Sequence, residues 1–185
     1  MLNEDGIIWK TRFTNTLFLK DKCWPNDTEV SIHMTPKTNE IKTQHMSFEK
    51  YKYVFAKVLQ NSIFVQNNNL KPLEHFSNEI IDFFNEPVDQ IVGVCLFSKL
   101  NAIAGEHLSV DTLEIESWQG ENLRFIISED SPEYDLLRNQ DTQNPWWMDP
   151  SPRFGNTKPN SLTWEQLGFT ISDSEKGFRI IKGGQ

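Results

Sequence analysis

Two tripeptides carry the residue types best suited to acid–base work, His33-Met34-Thr35 and His107-Leu108-Ser109. Imidazole titrates near neutral pH, so a pair of histidines can take and return one proton across a displacement reaction. Spacing within each tripeptide matters as well. Side chains two apart on a strand share a face, so each histidine would stand beside its own hydroxyl. Both tripeptides lie in stretches of alternating polarity, the period of a half-buried strand. Val30, Ile32 and Met34 alternate with Glu29, Ser31 and His33, and Leu108 and Val110 alternate with His107, Ser109 and Asp111.

The pair resembles the His-x-Thr/Ser motifs of the 2H phosphoesterases. The resemblance rests on these six residues. It implies that His33 and His107 act as general acid and base on a 2′,3′-cyclic or 2′,5′ phosphodiester, with Thr35 and Ser109 on the phosphate oxygens. A third tripeptide of the same form, His45-Met46-Ser47, reads differently, because Ser47 stands where a helix would take its cap.

Asp27 followed by Glu40-Ile41-Lys42 is similar in outline to the acidic-x-Lys metal sites of restriction-type nucleases. Glu114-Ile115-Glu116 puts two carboxylates on one strand face, near Asp111 and Glu121. A hard cation needs convergent oxygen ligands from other segments, and none can be named. The acidic stretch therefore reads as a solvated face, suited to docking a basic partner. Zinc spacing, a Gly-rich phosphate loop and a Gly-x-Ser-x-Gly elbow are all missing from the sequence. No cofactor and no metal are expected.

Charge narrows the partners. The chain of 185 residues has a formal net charge of -8 and an estimated pI of 5.0. Its basic residues are scattered singly from Lys10 to Lys182, without the basic patch that phosphates or an anionic membrane would need. A basic protein is the favoured partner. Cys95 sits in an apolar run, Cys23 in a polar segment, and two such thiols suggest a reducing compartment rather than a disulfide framework. No apolar run approaches the length of a membrane span, and Met1–Gly6 lacks the apolar core of a secretory signal, so a cytoplasmic protein is expected.

The elements that must position these side chains follow from periodicity. Strands are predicted over Ile7–Phe13, Leu17–Leu19 and Val30–Met34, with a turn at Thr14-Asn15 and a loop over Asp21–Asp27. Ser47 would cap a helix whose stripe is Tyr51, Val54, Phe55, Val58 and Leu59, reaching toward Ile63. Pro72 would open a second helix with the stripe Leu73, Phe76, Ile80, Phe83 and Phe84. Ile91–Phe97 is apolar throughout and reads as a central strand. The apolar phase flips between Val110 and Leu113, predicting a β-bulge near Thr112. A strand over Leu123–Ile127 and a short helix opened by Ser131-Pro132-Glu133 follow.

Residues from about 139 to 161 form a Pro-rich stretch without periodicity, around Trp146-Trp147-Met148. The two indoles either plug the edge of the core or anchor a partner. Thr163–Gln166 matches a capping box, with Gly168 ending the helix, and Phe169–Ile171 with Phe178–Ile181 would form a hairpin.

Residues 1–185 thus read as one α+β domain. Its sheet is expected to be mostly antiparallel, with two central helices packed on one face and a C-terminal short helix and hairpin. The expected function is non-enzymatic. The acidic surface would bind and inhibit a basic protein such as a nuclease, as immunity proteins and inhibitors do. Asp111, Glu114, Glu116 and Glu121 would pair with the partner's cations, and Trp146 and Trp147 would be its anchors.

Overall fold

A computed structural model describes residues 6–66, 73, 78–140 and 145–152. Its centre is a six-stranded sheet in the order β4-β3-β1-β2-β5-β6. The strands are β1 (Ile7–Leu19), β2 (Lys22–Pro36), β3 (Ser62–Gln66), β4 (Ile80–Phe83), β5 (Leu108–Ser117) and β6 (Phe125–Ile127). The helices are α1 (Ile41–Tyr53), which continues as a π-helical turn over Val54–Leu59, α2 (Asp89–Ala104) and α3 (Pro132–Arg138).

The sheet is mixed, which corrects the mostly antiparallel expectation. β2 runs antiparallel to β1 and β5, and β5 to β6, but β3 is parallel to both β1 and β4. The long β1–β2 hairpin is its spine. The predicted break at Thr14-Asn15 is not there. β1 runs on to Leu19, and Lys20 and Asp21 make the turn with φ of 50° and 60°. Primed turns of this hand match the twist of paired strands, and Asp tolerates the left-handed conformation. Residues 22–27 of the expected loop belong to β2. Pro25 fits there because β5 pairs with β2 only from Thr28 onward, leaving that end of β2 an edge.

Two other predicted elements exchange types. Ile91–Phe97 is helical, within α2. A short run that is apolar on every side fits a buried helix as well as a buried strand, and periodicity cannot separate them. The predicted second helix over residues 73–84 is overturned at its C-terminal part, where Ile80–Phe83 forms strand β4; most of its N-terminal part lies outside the described residues. Ser47 is not a cap. α1 starts six residues earlier, after Glu40, and Ser47 is buried mid-helix with its Oγ 3.5 Å from the Ala104 carbonyl oxygen. Tyr51, Val54, Phe55 and Leu59 are buried as expected, but Ile63 belongs to β3. The bulge is present: His33 pairs with Thr112 and Met34 with Val110, leaving Asp111 as the extra residue. α3 also starts where predicted, after Ser131 with Pro132 in its first turn. The capping box at 163–166 and the hairpin at 169–181 lie outside the described residues.

The core lies between one sheet face and the helices. Phe13, Val30, Ile32, Leu113 and Ile115 are each at most 2% exposed. Trp9 meets Phe48 and Phe55 edge-on, and Phe13 meets Phe55 and Phe64. α2 presses close enough that a Cβ on Gly93 would lie 2.9 Å from Ile115 Cγ2 and 3.0 Å from Ile127 Cγ1. The Tyr51 hydroxyl donates to the Leu100 carbonyl at 3.0 Å, tying α1 to α2. A smaller cluster of Phe18, Ile63, Val65 and Leu73 forms on its own.

Side chains close the exposed edges of the sheet. Asn101 acts as a surrogate strand on β5, accepting from the Val110 N–H at 2.9 Å and donating to its carbonyl at 3.1 Å. On β4, the Trp146 indole N–H donates to the Asp82 carbonyl at 2.7 Å. Such covering suppresses unwanted strand pairing. The Trp146 segment is itself held by Lys99, which is fully buried in α2 and donates to the carbonyls of Trp146 and Asp149, each at 2.7 Å.

Burial lowers the Lys99 pKa to about 8, with Asp149 partly opposing. Above pH 8 the folded chain releases this proton while the unfolded chain still holds it, so the group's contribution to stability rises with pH. Wild type is therefore predicted to gain stability relative to Lys99→Met between pH 8 and 10, by on the order of 2 kcal/mol. Urea unfolding of both proteins across that range checks it. Tyr51 and Cys95, whose protons burial makes harder to lose, cancel in the difference.

Candidate protein-docking surface

The face of β1, β2 and β5 turned away from the helices carries the charged side chains. Strand alternation puts Lys10, Arg12, Glu29, Ser31, His33, Glu114 and Glu116 on this side. Several of them pair with one another or with neighbours. Arg12 makes a two-pronged contact to Asp27 and lies 3.9 Å from Glu29. Arg124, from the segment leading into β6, donates to Glu116 at 2.9 Å and lies 3.4 Å from Glu114. His33 Nε2 is 2.9 Å from Glu114, and the Thr35 hydroxyl donates to the bulged Asp111 at 2.6 Å. Hydrogen bonding from Arg12 holds the Asp27 carboxyl below its ordinary pKa, and the hydrogen bond to Glu116 raises that of Arg124.

This placement decides how the predicted residues relate. Thr35 pairs with Ser109 across β2 and β5. The His107 carbonyl, however, accepts the Lys37 N–H at 3.0 Å, so His107 lies level with position 37, four residues along the strand from His33. At about 3.3 Å per residue that offset is about 13 Å. The histidines are not directly opposed, and carboxylates of Glu114 and Asp111 already occupy His33 and Thr35. A phosphodiester would meet negative charge there. Asp27 and Glu40 are not brought together either: Asp27 is nine residues, about 30 Å, from Pro36 at the other end of β2, and Glu40 follows that far end. Among the described residues, no three His, Cys, Asp or Glu side chains are grouped to hold a metal ion. Cys95 is fully buried, and burial raises its thiol pKa, which keeps it protonated and inert.

No family model matches this chain, and no curated protein matches it.

The tryptophans redistribute the expected anchors. Trp146 and Trp147 are 3% and 4% exposed, packed edge-on against Phe83, Phe84 and each other. They plug the core and offer no indole face to a partner. Trp24 and Trp118, which sequence reasoning passed over, are instead 44% and 67% exposed. Both sit at the end of the sheet where β5 turns into β6, together with exposed Leu123 and Val88. No local signal separates the two pairs: Trp24 adjoins Pro25 and Trp118 adjoins Gln119-Gly120, but Trp146 likewise adjoins Pro145, and Asp149-Pro150 follow soon after Trp147.

The turn itself is strained and well anchored. Glu121 and Asn122 have φ of 57° and 56°; Asn tolerates this left-handed conformation, whereas Glu adopts it at a cost. Asn122 N–H donates to the Ser117 carbonyl at 2.9 Å, and Gln119 N–H donates to the buried Asn26 side chain at 2.9 Å. Two clefts flank the turn. One, of 350 Å³, is walled by Arg12, Asp27, Glu29, Glu116 and Trp118. The other, of 520 Å³, opens between the hairpin tip and the start of α2.

Exposed and buried indoles should separate cleanly on mutation. Trp146→Ala is predicted to cost about 3–5 kcal/mol, for the cavity and the lost edge hydrogen bond. Trp118→Ala should change stability by no more than about 0.5 kcal/mol. Chemical denaturation of the two variants beside wild type measures the contrast.

Proposed function

We propose that this protein binds and blocks a basic protein partner, docking it on the charged sheet face and the adjoining β5–β6 turn. The observation that carries the reading is the pairing of two exposed tryptophans with carboxylates on a rigid scaffold. Trp118 shares a cleft with Asp27, Glu29 and Glu116 and with Arg12, which Asp27 binds, and Trp24 shares one with Glu121. Tryptophan is the residue most enriched among binding hot spots, and flanking charge steers and orients an oppositely charged partner. The carboxylates Glu114 and Glu116 are already organised by Arg124, so a partner's cations would meet side chains whose positions are set. Asp111, Glu114, Glu116 and Glu121 keep the role the sequence suggested, and the anchor role passes from Trp146 and Trp147 to Trp118 and Trp24. Block rather than turnover is the reading because the two histidines are offset along the strand and His33 is engaged by a carboxylate.

The test is affinity capture from the cells that express the protein, with mass spectrometry and charge-reversed controls. The expected result is one basic protein retained in stoichiometric amount, released by rising salt, and bound at least about ten-fold more weakly by Trp118→Ala. Retention unchanged in the double variant Glu114→Lys/Glu116→Lys, or no basic protein retained at all, would contradict the proposal.

A further inference from the structure

The cleft between the hairpin tip and α2 carries more than general stickiness. Its walls are largely apolar, from Leu17, Leu19, Trp24, Val88, Leu123 and Phe125. Among the described residues, its ionisable lining consists of two acids, Asp89 and Glu121, with no Lys, Arg or His. Its 520 Å³ is ample for one long side chain.

A buried polar seam lies behind this cleft. Asn15, Asn26, Thr28, Ser62, Ser117 and Asp89 are each at most 6% exposed. Thr28 donates to Asn15, Asn26 donates to Thr28, and the Ser117 hydroxyl donates to Asp89 Oδ1 at 2.7 Å. Asp89 Oδ2 is also buried but has no hydrogen-bond partner among the described residues. It lies against Gly120 so closely that a Cβ there would collide with it. A carboxylate set into this wall with one oxygen unanswered costs stability, and burial raises its pKa despite the Ser117 hydrogen bond. An acid in the first turn of α2 suits the helix dipole, but an exposed one would do so without that cost. What the buried arrangement adds is an acidic group held in a set position beside an apolar slot.

We propose that this cleft receives an arginine side chain of the partner, its stem against the apolar walls and its guanidinium beside Trp24, Glu121 and Asp89. The inference rests on the docking reading for the source of that side chain. Arginine fits better than lysine for two reasons. Its guanidinium is flat and weakly hydrated, so it stacks on an indole at low desolvation cost. Its several N–H donors can also grip the exposed Glu121 carboxylate at both oxygens, while Asp89, whose Oδ2 is shut against Gly120, acts through its field.

A short peptide tests the cleft without the partner. Acetyl-Gly-Arg-Gly-amide is titrated into the isotope-labelled full-length chain, with the citrulline and lysine peptides as neutral and ammonium controls. The arginine peptide should give saturable shifts at the Trp24 indole N–H and the Gly120 and Leu123 amides. Binding should be about ten-fold weaker for citrulline, for Asp89→Asn and for Glu121→Gln. The amide introduced by Asp89→Asn can keep the Ser117 hydrogen bond, and Glu121 is exposed, so an otherwise unchanged spectrum confirms that both variants fold. Equal binding of the citrulline peptide, tighter binding of the lysine peptide, or shifts that never saturate would each overturn the proposal. The peptide is too small to span the outer sheet face. Its failure would leave the docking reading standing, and success here with no basic protein captured would sink only that reading.

Discussion

The whole arrangement depends on burying α2. Twelve of its sixteen residues are buried, including Asp89 and Lys99, so it has almost no solvent face. Such a helix is stable only if covered on every side, and apolar burial contributes about 25 cal/mol per Å² toward holding that cover in place. Gly93 lets it lie directly on β5 and β6. Lys99 and Ser98 fasten the Trp146–Met148 turn over it, and Tyr51 brings α1 alongside. With one face of the sheet committed to this packing, charge is left to the other face and to the sheet's ends.

That division accounts for where function can reside. Among the described residues, no helix contributes to the charged pairs on the outer face of β1, β2 and β5, which link β1 to β2, β2 to β5, and β5 to the segment before β6. Exposed pairs of this kind add little stability; under the docking proposal they present charge in a set pattern. At the sheet's end the costs run the other way. Left-handed Glu121 and the half-satisfied Asp89 work against stability, and the exposed indoles of Trp24 and Trp118 contribute little to it. Features that oppose folding and gather at one place are what the docking proposal expects of a binding surface.

Much of this was legible in the sequence where local pattern sufficed. Alternation located β5 and the C-terminal half of β2, and the phase flip between Val110 and Leu113 located the bulge, because side chains on a strand must alternate. Ser131-Pro132 located the start of α3. The pattern failed where burial is two-sided. Ile91–Phe97 carries no polar phase that could distinguish helix from strand. Ile80–Phe83 was read with upstream apolar residues as one stripe, when its pairing is with the distant β3. The candidate site was less legible still. The acidic residues Glu114 and Glu116 could be assigned to one face, but which tryptophans stay exposed depends on tertiary packing. Trp146 is buried because Phe83 and Lys99 receive it, and neither neighbour is local.

Native-state hydrogen exchange tests the central role of α2 most directly. The account predicts that amides from Val94 to Leu100 exchange only through global unfolding, so their opening free energy equals the stability measured by denaturation, while amides of the β5–β6 turn open far more readily. Exchange of the α2 interior at well below the global free energy, with the sheet still protected, would contradict it.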